Sequence, residues 1–124
     1  MTTWDDMAQE SRTAAAELST RERWRSSVSR AYYAIYAKAT AMLNSAGVNM
    51  PAGRSNPSHR RLPVMIGNNL TAIDNPRRWR LADLVQQLYN LRIIADYEPN
   101  MAIEEDEARI ALSLMSQAFR CLEK

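Results

Sequence analysis

Leu81, Leu84, Leu88, Leu91 and Ala95 recur at alternating steps of three and four residues. That spacing lines one face of an α-helix. Stripes of the same period recur along most of the chain, and no stretch alternates with period two. The first helix is predicted over about 3–17, with Trp4, Met7, Ala8, Ala15 and Leu18 on one side. A second, over about 20–46, carries Trp24, Val28, Ala31, Ile35, Ala39 and Met42 on one face. Ser26, Ser29, Ala34, Ala37 and Ala41 lie on its other side, and small residues there let a neighbouring helix come close. This helix is therefore expected to be central. A short third helix is predicted over 57–70, a fourth over 76–96, and a fifth over 101–123 with Ala111, Met115, Ala118 and Leu122 inward. Short connections between apolar stripes predict an all-α, antiparallel up-and-down bundle of four main helices plus a short one.

The polar residues between the stripes supply starts and stops. "STRE" reads as a capping box, with Ser19 as N-cap and Glu22 three residues on. Gly47 suits a C-terminal cap, and residues 47–57 form a loop. Asn56 and Pro57 read as an N-cap and first helical residue, and Pro63 predicts a bend in the third helix. "DNP" at 74–76 repeats the cap pattern, and "YEPN" ends the fourth helix, because a residue before proline avoids the helical region. Glu104, Glu105, Asp106 and Glu107 complement the dipole at the start of the fifth.

Composition narrows the class. The 124 residues are enough for one core, so a single domain is expected over 1–124. The longest apolar run, 31–37, is too short to span a bilayer. The acidic N-terminus is no signal peptide, and the lone Cys121 has no disulfide partner in the chain. These features point to a cytoplasmic protein with no membrane partner. The net charge of +2 conceals segregation: 1–17 carries one base and four acids (−3), 18–92 twelve and three (+9), 93–124 three and seven (−4). Fourteen of the sixteen bases are Arg, whose planar fork suits phosphate. Two readings stay open: an anionic partner, RNA first, or a solvated surface balanced in space by the acidic ends.

Candidate chemistry is sparse. One His and one Cys, with no paired-ligand spacing, give no metal site, and neither a phosphate loop nor a dinucleotide fingerprint occurs, so no cofactor is expected. Ser58 and His59 are adjacent and do not face each other on a helix, which leaves no nucleophile triad. His59 is a surface or capping residue unless it enters a groove, where it could act as an acid or base. Arg77, Arg78 and Arg80 crowd the first turn of the fourth helix, where the dipole disfavours cations. Bound RNA phosphate would offset that, with Trp79 stacking on a base. The other reading pairs Arg80 with Asp83, solvates the rest and puts Trp79 in the core. Tyr32, Tyr33 and Tyr36 on the second helix need hydroxyl partners if buried.

"SRAYYAIYAKATAML" (29–43), a His after the central loop (His59) and "LYNLRIIADY" (88–97) together resemble the HEPN family. They are similar in particular to its small stand-alone branch, marked by a Ser-Arg-x-Tyr-Tyr-Ala helix and a later Leu-x-x-Leu-Arg-x-x-x-Asp-Tyr. The match covers most of the chain, in order. The resemblance implies a helical bundle, usually a homodimer. Its members include metal-independent ribonucleases, RNA-binding modules, toxins paired with a minimal nucleotidyltransferase, and phage-defence proteins. Their catalytic signature is an Arg followed, after four to six residues, by a His, with two copies meeting across the dimer groove. Arg92 matches the Arg, but Tyr97 stands where the His belongs and Asp96 precedes it. A phenol, largely protonated at neutral pH, is a poor general base. The catalytic candidates are therefore Arg92, His59 and Tyr97.

Arg92, on the edge of an apolar face, then has two rival roles. It can pair with Asp96 and a tyrosine among 32, 33 and 36, in a buried network that pins the second helix to the fourth. Alternatively it can face a groove and hold RNA phosphate. Two functions follow: an RNA-directed toxin or defence module, acting as an RNA binder or a weak metal-independent ribonuclease, or a non-enzymatic partner-binding protein that accompanies a nucleotidyltransferase.

Overall fold

The structure, a computed structural model, describes residues 1–123; the last position of the domain expected over 1–124 lies outside the described residues. Five helices and no strand occur among the described residues: α1 (Trp4–Thr20), α2 (Trp24–Ser45), α3 (Leu62–Asn69), α4 (Asn75–Tyr97) and α5 (Glu105–Leu122). They form the expected antiparallel bundle, with α3 as the short element.

α2 packs against each of the other four helices, and α1, α4 and α5 surround it. Small residues of α2 explain that position, though not all those expected. Ser29, Ala34 and Ala37 are buried, Ser26 is exposed and Ala41 half-buried, and Ser27, Ala31 and Ala39 are buried instead, as are Ala8, Ser11 and Ala15 of α1. The Ser27 hydroxyl donates to the Ala15 carbonyl across the α1–α2 interface at 2.7 Å. Val28, Ile35, Leu43, Leu81, Val85 and Leu88 fill the centre together with α5 residues Leu114, Met115 and Phe119.

Several boundaries depart from the sequence reading. α1 runs on to Thr20, so Ser19 lies within it and no capping box forms with Glu22. Backbone N–H groups of Arg21 and Arg23 return to Glu17 and Leu18 carbonyls, which closes the helix, and Glu22 takes the left-handed conformation (φ 58°) in the turn. The working cap of α1 is instead Thr3, in reciprocal hydrogen bonds with Asp6. Met7, expected inward, is exposed. The third helix starts at Leu62 rather than Pro57, which puts Pro63 in its first turn, where no amide hydrogen is required and no bend follows. Pro57 is buried, and its carbonyl accepts from the Tyr36 hydroxyl at 2.6 Å, which holds this segment off the helical path. Asp74 caps α4 and the helix stops at Tyr97, close to the expected bounds, whereas α5 starts at Glu105, four residues later than expected, with its acids in the first turn. Gly47 follows α2 at φ +75°, a conformation glycine adopts without strain. Gly67 serves a different end. A Cβ there would lie 2.2 Å from the Trp79 ring, so the missing side chain lets Trp79 lie flush on α3. Trp79 keeps one side exposed and does not enter the core.

Candidate functional site

Ser29, Tyr32, Tyr33 and Tyr36 of α2 and Tyr89, Arg92 and Asp96 of α4 sit at helical spacing and line the seam between the two helices. Arg92 is 8 % exposed. Its Nε donates to Asp96 Oδ2 at 2.8 Å, and one Nη donates to the Tyr33 hydroxyl at 2.7 Å and more weakly to the Tyr97 hydroxyl at 3.5 Å. The same Asp96 oxygen accepts from the Ser29 hydroxyl at 3.2 Å. The guanidinium also lies 5.1 Å from the Tyr33 ring centre and 5.3 Å from that of Tyr97. Burial opposes the Arg92 charge, but Tyr33, Asp96 and Tyr97 outweigh it and leave the pKa raised. The other terminal nitrogen, Nη1, has no partner among the described residues and is not enclosed.

The loop from 47 to 61 folds over this seam. Trp4 Nε1 donates to Ser55, Asn44 donates to the Ser55 carbonyl, and Asn56 donates to the Tyr36 hydroxyl at 2.7 Å. These ties deliver His59 into the tyrosine cluster. Its ring centre lies 4.5 Å from Tyr36, 5.5 Å from Tyr32, 5.8 Å from Tyr33 and 6.1 Å from Tyr89, stacked on the last at 18°. His59 Nδ1 and the Tyr32 hydroxyl are 2.7 Å apart. Burial, and then the Arg92 cation, hold the imidazole pKa below its ordinary value. Burial, and then neighbouring Tyr36, push the Tyr32 phenol far up, so it stays protonated.

Arg92, Asp96, Tyr32, Tyr33, Tyr97 and His59 thus converge, although His59 comes from a loop and not from α4. Tyr97, 61 % exposed, borders the cluster at the end of α4. Arg77, Arg78 and Arg80 lie elsewhere, and each has an internal partner. Arg77 Nε lies 3.0 Å from the Asp74 carboxylate, an ion pair without an aligned hydrogen bond. Arg78 donates to the Gly67 and Ile73 carbonyls, both at 2.8 Å. Arg80 donates to Gln117, not to Asp83, which accepts from Gln87.

Two residues gain roles the sequence pattern does not single out. Arg30 has no hydrogen-bond or carboxylate partner among the described residues, and its guanidinium lies 4.8 Å from the Tyr33 ring centre. Arg25 donates to the carbonyls of Ile94, Ala95, Glu98, Pro99 and Met101 and so caps the end of α4 that carries Asp96 and Tyr97. Arg30 is the Arg of the Ser-Arg-x-Tyr-Tyr-Ala motif itself, although the motif alone gives it no role. Nothing local signals Arg25, whose partners lie some 70 residues on.

No group of three metal-ligating side chains occurs among the described residues. Two neighbouring clefts, of about 500 and 450 Å3, share Asp5, Lys38 and Met42, and neither contains a member of the tyrosine cluster. No helix among the described residues is long and apolar enough to cross a membrane.

A family model for the HEPN domain matches residues 1–124. The chain belongs to the HEPN domain family, which gives it the general character of an RNA-related, nuclease-like module. Comparison with curated proteins and with solved structures yields no match.

Proposed function

We propose that this HEPN protein is an RNA-directed toxin or defence module whose α2–α4 seam holds single-stranded RNA. The observation that carries this reading is the grouping of Arg30, the free edge of Arg92 and His59 among stacked tyrosines. Guanidinium groups bind phosphate, and the rings that keep some exposure, Tyr33, Tyr89 and Tyr97, can accept unstacked bases without strong sequence preference, while Tyr32 and Tyr36 are buried beneath them. The surrounding charge agrees. Arg54, Arg60 and Arg61 are exposed on the covering loop, and none has a carboxylate partner among the described residues. Two copies of the chain, with Tyr97 and Met101 exposed near the seam, are proposed to pair across it.

A second reading has its own support. Arg92 is already satisfied by Asp96 and Tyr33, as a structural tie would be. On that reading the protein is a non-enzymatic companion of a minimal nucleotidyltransferase, and a small nucleotidyltransferase gene adjacent to its own would favour it.

Fluorescence anisotropy with a short single-stranded RNA separates the two. Affinity should fall steeply with salt, and Arg30→Ala should lower the slope of log affinity against log salt by about 0.7, the share of one phosphate contact on single-stranded nucleic acid. Arg77, Arg78 and Arg80, engaged by the fold, should contribute less per residue than Arg30. No binding at low salt would favour the companion reading.

A further inference from the structure

His59 is the chain's single histidine, and its proton inventory can be read from its surroundings. Tyr32 is fully buried, and its hydroxyl has one hydrogen-bonding neighbour among the described residues, His59 Nδ1 at 2.7 Å. If Nδ1 carried the ring proton and donated to the phenol oxygen, the phenol hydrogen would be left buried without an acceptor. That arrangement costs more than the reverse one, in which the hydroxyl donates to an unprotonated Nδ1. The reverse arrangement fixes the tautomer: the ring proton sits on Nε2. Nε2 has no partner among the described residues and is not enclosed.

The groups that face the ring give no reason to hold a second proton. From α2 they are Tyr32, Tyr33 and Tyr36, all phenols. From α4 they are Tyr89 and the Arg92 cation. The nearest carboxylate in the network, Asp96, spends one oxygen on Arg92 and Ser29. Arg92 Nη1 and His59 Nε2 are then the donors of the seam that the fold leaves unengaged, with the Arg30 guanidinium beside them against the Tyr33 ring. Abstracting a proton from a ribose hydroxyl needs a lone pair there, and the imidazole lone pair points inward at Tyr32.

We propose that His59 is locked by Tyr32 as a neutral, Nε2-protonated donor, so that with Arg30 and Arg92 it forms a donor cradle that binds RNA phosphate at the α2–α4 seam without cleaving it. This rests on the RNA reading above and specifies the chemistry of the same site.

The test has two arms. In the first, 15N-labelled protein is examined by long-range proton–nitrogen correlation of the imidazole at neutral pH; the single histidine makes assignment unambiguous. Nδ1 should show the unprotonated pattern and Nε2 the protonated one, and Tyr32→Phe should shift the ring toward a mixture. A protonated Nδ1 in the unaltered protein overturns the proposal even if Tyr32→Phe does not fold. In the second arm, a labelled single-stranded RNA is incubated with the protein, then binding and chain length are read together. The RNA should remain intact, and affinity should stay flat between about pH 7 and 8, since a neutral donor loses nothing there. His59→Ala should weaken binding about tenfold to a hundredfold, the worth of one hydrogen bond to a charged acceptor, and His59→Gln, whose amide still donates, should restore most of it. Cleavage that His59→Gln abolishes overturns the proposal while leaving the RNA reading intact. An RNA that does not bind at low salt overturns that reading, and the cradle falls with it.

Discussion

Arg92 and Asp96 form a short, partly buried pair, with Asp96 27 % exposed and Arg92 10 % exposed at the side chain. Removing either partner strands the other. A fully buried pair would cost about 3–5 kcal/mol to break; water at Asp96 lowers the expectation to about 1–3 kcal/mol for Arg92→Ala. Asp96→Ala should cost a similar amount, also about 1–3 kcal/mol. The double variant should lose less than the two single losses combined, because the groups act as a unit. Urea titrations of the four proteins measure this, and strict additivity would refute the coupling. The spacing of four residues makes this contact legible in the sequence. The choice of Tyr33 for Arg92 and of Tyr32 for His59 is not, because it depends on the helix rotation and loop path that only the assembled fold determines. A pH prediction follows from His59. Its folded pKa lies below the reference value of 6.5, so as pH falls the unfolded chain takes up the proton first. The neutral ring's contribution is therefore complete above about pH 6.5 and is lost below it, down to the folded pKa. Melting temperature should decline between about pH 7 and 5.5, and His59→Gln should flatten that part of the profile.

At the scale of elements, α4 shows which signals survive assembly. Asp74, Pro76 and the "YEPN" stop act through their immediate neighbours, so they mark the helix ends in sequence and structure alike. "STRE" and "NPSH" fail for different reasons: the first yields to a competing local contact, closure of α1 by its own carbonyls at 17–18, and the second to a tertiary one, capture of the Pro57 carbonyl by Tyr36. The C-terminal end of α4 lacks a basic residue in its last turn. Arg25 supplies the cation from α2, and its hydrogen bonds run beyond the helix into the connection to α5. Arg25→Ala should therefore loosen 94–101 selectively. Hydrogen–deuterium exchange should quicken there while the centre of α2 stays protected, with a global loss of about 1–3 kcal/mol. Uniform quickening over the whole chain would mean that Arg25 is part of the global folding unit instead of a local clamp.

The whole molecule inherits the charge segregation of its sequence. Among the five ion pairs of the described residues, only Lys38–Asp5 joins distant parts of the chain; the other four lie within single helical turns. Folding pairs the +9 centre with the acidic ends only at Lys38–Asp5 and Arg92–Asp96, and a centre that keeps most of its charge repels a second copy unless an interface offsets it. Exposed apolar residues on α1, α3 and α5 (Met7, Val64 and Ile110) are scattered, which is ordinary for a monomer surface. Tyr97 and Met101 are different: they lie four residues apart, both exposed, at the end of the seam. A dimer formed there would bring two seams together, and with them two basic faces, so salt or RNA should favour it. Light scattering should report about twice the 14.1 kDa chain mass at moderate salt. Paired Tyr97→Glu and Met101→Glu substitutions should return the mass to that of one chain and leave helicity unchanged. A protein that stays monomeric at high micromolar concentration, with salt and with RNA present, would rule out pairing across the seam.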